Sequence, residues 1–139
     1  MDHSAHEHVM DILLHPYLVH FPIAFFFLEA LLLGMWIWKR DDKYESFAYL
    51  ILKLAMLSMP FVMLAGYIDA GGIIPKVQLH FYSASTLFVL GLIRLIIRVK
   101  LGSRMWQSKA RNIFVTLLII GVVVTGLTGH LGALMVYND

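Results

Sequence analysis

Seven histidines are the residues of this sequence most suited to chemistry, because a neutral imidazole nitrogen is a common metal ligand. Three are close to the N-terminus and four lie at or near the ends of long apolar stretches: His3, His6 and His8, then His15, His20, His80 and His130. Histidines of this kind hold haem iron, or directly bound Zn, Cu or non-haem iron. Their positions relative to the apolar stretches decide which centre is favoured.

The apolar stretches themselves predict a membrane protein. Of the 139 residues, 60% are hydrophobic and only 14% are charged, against about 25% charged in soluble domains. Crossing the bilayer takes about 20 apolar residues, and four stretches qualify, at residues 17–38, 47–68, 77–99 and 112–136, after an outer tail of residues 1–14. Short connections make consecutive helices antiparallel neighbours. We therefore expect one all-α, up-down-up-down four-helix bundle, with Ser46 capping the second helix.

The composition excludes several other classes of protein. The chain has no cysteine, so it is not a disulfide scaffold, and it is too apolar to be intrinsically disordered. The formal net charge of +2 does not form one exposed patch, and we expect no nucleic-acid partner.

The basic residues predict the orientation of the bundle. They cluster at the first and third connections: Lys39, Arg40, Lys43, Arg94, Arg98, Lys100, Arg104, Lys109 and Arg111. Cytoplasmic connections carry the excess of Lys and Arg, so both termini and all seven histidines should face the periplasm of a bacterial inner membrane. All three tryptophans, Trp36, Trp38 and Trp106, fall at the cytoplasmic end.

Depth in the membrane groups three of the histidines. His20, His80 and His130 lie roughly 6–10 Å below the outer boundary, while His15 lies nearer the headgroups. Two imidazoles on opposite walls of a bundle can bind haem iron axially. Because the first and third helices are diagonal, we predict His20 and His80 as the axial pair of one haem b. His130 and His15 are then supporting ligands, or the pair for a second haem.

Residues near the outer boundary fit this prediction. Small residues that leave room for a macrocycle occur in the second and fourth spans: Ala65, Gly66, Ala70, Gly126, Gly129 and Gly132. Such faces also serve close helix packing. Proximity alone makes Lys76 and Tyr67 the predicted contacts of the haem propionates.

Two other interpretations of the histidines stay open. His20, His80 and His130, with His15 or Asp69 nearby, would suit directly bound Zn, Cu or non-haem iron; alternatively they are interfacial side chains bonded to carbonyls. The protein would then be a metal-binding or transport module, or a structural anchor in a larger complex. The histidine-rich tail could also chelate a metal, although such segments are usually solvated.

Charged residues inside the predicted spans need partners. Glu29 and Lys53 differ in depth by only about 5 Å on neighbouring helices, so we predict that they form an ion pair. The alternative is a proton step or a quinone contact in the inner half of the membrane. Arg94 and Arg98 are expected to reach the inner headgroups.

Several motifs resemble one known family. They are His15-Pro16-Tyr17-Leu18-Val19-His20-Phe21-Pro22-Ile23-Ala24, Gly66-Tyr67-Ile68-Asp69-Ala70, His80, and Gly129-His130-Leu131-Gly132-Ala133-Leu134-Met135-Val136-Tyr137. This pattern is similar to the domain of unknown function 2231 family over nearly the whole chain, with Ala133 where a second glycine is usual. The resemblance implies a four-span bacterial membrane protein similar to partners of Rieske or c-type cytochrome domains in electron transfer.

These features together predict a small b-type cytochrome. It would pass electrons between a quinol or membrane redox partner and a periplasmic carrier or larger redox complex. Two histidine ligands leave no open iron position, which favours an electron-transfer subunit over a stand-alone enzyme. The expected partners are the lipid bilayer, a quinone and a periplasmic cytochrome or other redox subunit. The chain itself is expected to be a homo-oligomer or a subunit of a larger complex.

Overall fold

Four long helices form the described part of the chain. The computed structural model describes the backbone of residues 4–73 and 75–137, and the side chains of residues 18–73, 75 and 77–134. The helices are α1 (Ser4–Lys39), α2 (Asp42–Asp69), α3 (Pro75–Leu101) and α4 (Ala110–Tyr137), and a short 3-10 helix, Gly102–Gln107, joins the last two. The all-helical fold is confirmed. Helix α1 already begins within the segment predicted as an outer tail.

The four helices pack in a ring. The most extensive contacts join α1 to α2 and α3 to α4, and smaller contacts join α2 to α3 and α4 to α1. Helices α1 and α3 are therefore diagonal across the centre, as are α2 and α4. This is the order that the short connections predict.

The two ends of the bundle differ in composition. The basic end carries the α1–α2 and α3–α4 connections, where the indole of Trp36 packs on that of Trp106 with 4.7 Å between ring centroids. The histidine end carries the α2–α3 connection, together with His20, His80 and His130. There the chain turns through Gly71 and Gly72, whose φ values of 67° and 117° favour glycine.

Helix α2 begins five residues earlier than predicted. The side chain of Asp41, and not Ser46, caps it by accepting a hydrogen bond from the Lys43 amide at 3.1 Å. Aspartate and serine are both good capping residues, so residue type alone does not choose between them. The earlier start places Glu45 inside the helix, where it is buried.

The Asp41 cap should make the stability depend on pH. Hydrogen bonds from the Lys43 side chain and amide hold the pKa of this exposed carboxyl below its ordinary value of 3.8. A lowered pKa stabilises the fold above pH 3.8, and that contribution is lost as the pH falls through the lower folded value. We expect Asp41→Ala to lower the melting temperature in detergent at neutral pH, with a smaller effect in strong acid. An equal loss at both pH values would show that the carboxylate charge does not contribute.

Three helical segments are long and apolar enough to cross a membrane: Leu18–Lys39, Asp42–Asp69 and Ala110–Leu134. Large apolar side chains such as Leu57 and Phe61 are about two-thirds exposed on the bundle surface, at 64% and 67%, as expected where lipid is the solvent. Helix α3 has 27 residues but does not belong to this group. Its sequence carries polar residues toward both ends, among them Gln78 and His80 at one end and Arg94 and Arg98 at the other.

The core narrows where α2 and α3 meet. A Cβ at Gly91 of α3 would lie 2.3 Å from Met56 Cε and 3.4 Å from Phe26 Cε1. Met56 and Phe26 are both buried. The absence of a side chain at Gly91 therefore allows α1, α2 and α3 to pack closely at this level of the bundle.

Candidate functional site

A buried ion pair crosses the centre of the bundle. Arg94 on α3 and Glu29 on α1 are 0% and 1% exposed, and Arg94 Nη1 donates a hydrogen bond to Glu29 Oε1 at 2.5 Å. The Arg94 guanidinium also lies 5.6 Å from the ring centroids of both Phe26 and Phe114. Aromatic faces attract a cation that has lost its water. Residues of α1, α3 and α4 thus surround the charged pair. Helix α2 also packs close to it, because Gly91 of α3 has no side chain.

This pair corrects the predicted partner of Glu29. Lys53 does not bind Glu29; its Nζ instead lies 4.6 Å from the Tyr49 ring centroid. Lys53 directly follows the buried Leu52 and is exposed on the outside of α2. The prediction used depth and helix order, but not the direction in which each side chain leaves its helix.

A second ion pair lies one turn further along α3, toward the basic end. Arg98 Nε and Nη2 donate to Glu45 Oε1 and Oε2 at 2.8 and 3.0 Å, and the Trp106 indole donates to Oε1 at 3.1 Å. Both arginines therefore bind carboxylates inside the bundle. The expectation that they reach the inner headgroups is wrong. Glu45 precedes the predicted second span, residues 47–68, so no partner was predicted for it.

The two carboxylates differ in how fully they are hydrogen bonded. Both oxygens of Glu45 accept bonds, whereas Glu29 Oε2 has no hydrogen-bond partner among the described residues, and neither have Arg94 Nε and Nη2. Glu29 and Glu45 line the same cavity of about 10 Å³, room for roughly one water molecule. Among the described residues, the buried side-chain atoms without a hydrogen-bond partner therefore belong to the Glu29–Arg94 pair.

At the histidine end, His80 faces the core of the bundle. It lies two helical turns before the buried Leu87, and its Nδ1 is 3.2 Å from the Thr128 carbonyl oxygen on α4. Because a carbonyl only accepts, Nδ1 donates and the ring lone pair is on Nε2. A Cβ at Gly132 would lie 3.3 Å from His80 Cε1. The glycine thus lets the imidazole lie directly against α4.

His20 and His130 face away from the core and are exposed. His20 precedes the buried Pro22 by two residues, and His130 follows the buried Thr128 by two, which is about 200° around each helix. The three imidazoles of similar depth therefore do not converge. Within the part of the chain that the structure describes, no group of three or more His, Cys, Asp or Glu residues could hold a metal ion.

His20 and His80 nevertheless share one level along the bundle. Ile23 of α1 packs against Gly129 of α4, with 3.8 Å between Ile23 Cδ1 and the position of a Cβ. His20 lies three residues beyond Ile23 toward the histidine end. Gly132, which contacts His80, lies three residues beyond Gly129, and each step is about 4.5 Å. The similar depth predicted for His20 and His80 is therefore supported. The two side chains differ in direction, because His80 faces the core and His20 faces away from it.

Several predicted residues lie outside the described side chains. These are His3, His6, His8, His15 and Lys76, and His3 also lies outside the described backbone. The backbone of His15 is in the same helical register as Pro22, two turns away. Tyr67, the other predicted propionate contact, is 49% exposed near the histidine end of α2.

Comparison with known proteins identifies a family of similar sequences. A search of curated proteins and a search of solved structures each found no match. A family model described as a predicted membrane protein, DUF2231, matches residues 11–139. That range covers α2, α3 and α4, α1 from residue 11 onward, and each of the motifs that suggested the resemblance. The chain therefore belongs to the domain of unknown function 2231 family of predicted membrane proteins.

Proposed function

We propose that this protein is a membrane electron-transfer subunit that holds one haem b at the histidine end. The observation that carries the proposal is the hydrogen bond from His80 Nδ1 to the Thr128 carbonyl. Metal-binding histidines almost always donate their second ring N–H to a carbonyl or carboxylate, which fixes the ring and directs the other nitrogen to the metal. A bound haem supplies a one-electron redox centre.

A second histidine that would help to hold the haem would come from helix α1, because α1 is diagonal to α3. The position of His20 along the bundle, level with His80, favours His20, and His15 on the same helix is the alternative. The variants His20→Ala and His15→Ala separate the two, since loss of low-spin haem in one of them identifies the ligand. Lys76 and Tyr67, near the α2–α3 connection, are the proposed propionate contacts.

The proposal includes α3 as a fourth membrane span. Its arginines do not oppose insertion in the usual way, because Glu29 and Glu45 neutralise Arg94 and Arg98 inside the bundle. The concentration of Lys and Arg at the basic end favours a cytoplasmic position for that end. The histidine end would then face the periplasm of a bacterial inner membrane, toward a periplasmic carrier or a larger redox complex, with a quinol or another membrane partner as electron donor.

Carbon monoxide tests the proposed electron-transfer role. Iron with two histidine ligands has no open position, so we expect a low-spin b-type spectrum of the dithionite-reduced protein that carbon monoxide leaves unchanged. A haem that binds carbon monoxide stoichiometrically would contradict electron transfer through a six-coordinate centre. Purified protein without haem, after expression with adequate haem supply, would favour a metal module or a structural anchor.

A further inference from the structure

We propose that Glu29 is a reversible proton acceptor inside the membrane, reached by water from the basic end through the cavity at Glu45. The site lies in the opposite half of the bundle from His80 and does not depend on a haem. Ionisable residues within membrane spans commonly belong to proton or ion pathways. The arrangement of Glu29 differs from that of a purely structural ion pair in three respects.

The first difference is incomplete hydrogen bonding. Arg98 binds Glu45 through two nitrogens and two oxygens, the geometry that best satisfies a buried pair. Arg94 binds Glu29 through one nitrogen and one oxygen, and Oε2 of Glu29 has no partner among the described residues although the side chain is 1% exposed. A buried carboxylate oxygen without a donor is costly, and a proton or a water satisfies it.

The second difference is the access of water to Glu29. Glu29 lines a cavity with room for roughly one water molecule. The polar groups that line it with Glu29 are Glu45, Tyr49, Arg98 and Trp106. Glu45 is in the first turn of α2, one turn from the exposed cap residue Asp41. Polar side chains therefore continue from the basic end to Glu29.

The third difference is that Arg94 keeps favourable contacts in both charge states of Glu29. Its guanidinium lies 5.6 Å from the ring centroids of Phe26 and Phe114, and Oε1 of Glu29 remains an acceptor when the acid is neutral. The proton step is simple: a hydronium ion in the cavity transfers a proton to Oε2, leaving water and a carboxylic acid. Arg94 stays protonated and nothing is oxidised or reduced.

The charged or titratable groups around Glu29 are Arg94 and Arg98 from α3, and Glu45 and Tyr49 from α2; Phe114 of α4 and Trp106 add none.

Infrared difference spectroscopy of the full chain in lipid nanodiscs tests the proposal. We expect acidification to produce a protonated-carboxyl band that shifts when the protein contains ¹³C-labelled glutamate. The chain has three glutamates, Glu7, Glu29 and Glu45. Glu29→Gln should remove the band, and the control Asp41→Asn, an exposed carboxylate near the same end, should leave it. If Glu29→Gln does not fold, persistence of the band in both Glu7→Gln and Glu45→Gln assigns it to Glu29 by elimination.

The route to Glu29 has its own test. Ala48 lines the cavity and Ala55 does not, and both are buried on α2. Ala48→Val should slow the exchange of the Glu29 proton for deuterium, whereas Ala55→Val should not. The proposal is overturned if no glutamate band titrates while circular dichroism shows intact helices. It is also overturned if the band belongs to another glutamate, or if both valine variants exchange at the same rate.

Discussion

Replacing Arg94 with leucine should destabilise the protein by about 3–5 kcal/mol, the usual cost of removing one partner from a buried ion pair. The reason is that Glu29, 1% exposed, would either hold a buried charge without a counter-ion or take up a proton to lose it, and both outcomes cost free energy. Leucine also loses the contacts that the guanidinium makes with Phe26 and Phe114. Equilibrium unfolding in detergent, followed by circular dichroism, measures the effect.

A double-mutant cycle separates the ion pair from general packing. Glu29→Leu together with Arg94→Leu should recover most of the lost stability, because replacing both charges with apolar groups is often neutral or stabilising. Arg104→Leu is the control, since Arg104 is exposed at the basic end and surface changes usually stay within about 0.5 kcal/mol. An Arg94→Leu variant as stable as Arg104→Leu would mean that the ion pair does not form.

The second large effect concerns His80. We expect His80→Ala to abolish low-spin haem binding, because the substitution removes the imidazole that Thr128 orients. The measurement is the reduced-minus-oxidised visible spectrum of each variant, scaled to the amount of purified protein.

His130→Ala is the matched control for this prediction. His130 lies at the same end, but it is exposed and faces away from the core. We expect its variant to keep the wild-type spectrum. Retention of low-spin haem in His80→Ala, with loss in His130→Ala, would contradict the assignment of His80 as a ligand.

Length, charge and connection lengths were enough to predict four helices in a ring, with the two basic connections at one end and His20, His80 and His130 at the other. They did not predict which charged residues bind each other. In a soluble bundle the apolar stripe identifies the core face, but a membrane helix is apolar toward lipid as well. Helical phase is therefore hidden, and depth together with the order of the helices paired Glu29 with Lys53 and His20 with His80.

One signal of helical phase was present in the sequence. Phe26, Glu29 and Leu33 are spaced three and four residues apart, as are residues on one helix face, and all three are buried. A charged residue inside a membrane span should itself face the interior. Reading phase from Glu29 and Arg94 would have indicated the core faces of α1 and α3, and with them the outward direction of His20.

The most direct test of the proposed function is the number of haems per chain in wild-type protein purified in detergent after expression with adequate haem supply. A pyridine haemochrome assay identifies the type of haem and gives the ratio to protein. The account predicts one haem b per chain, accompanied by a low-spin spectrum. Protein that folds and purifies normally but contains no haem would contradict it.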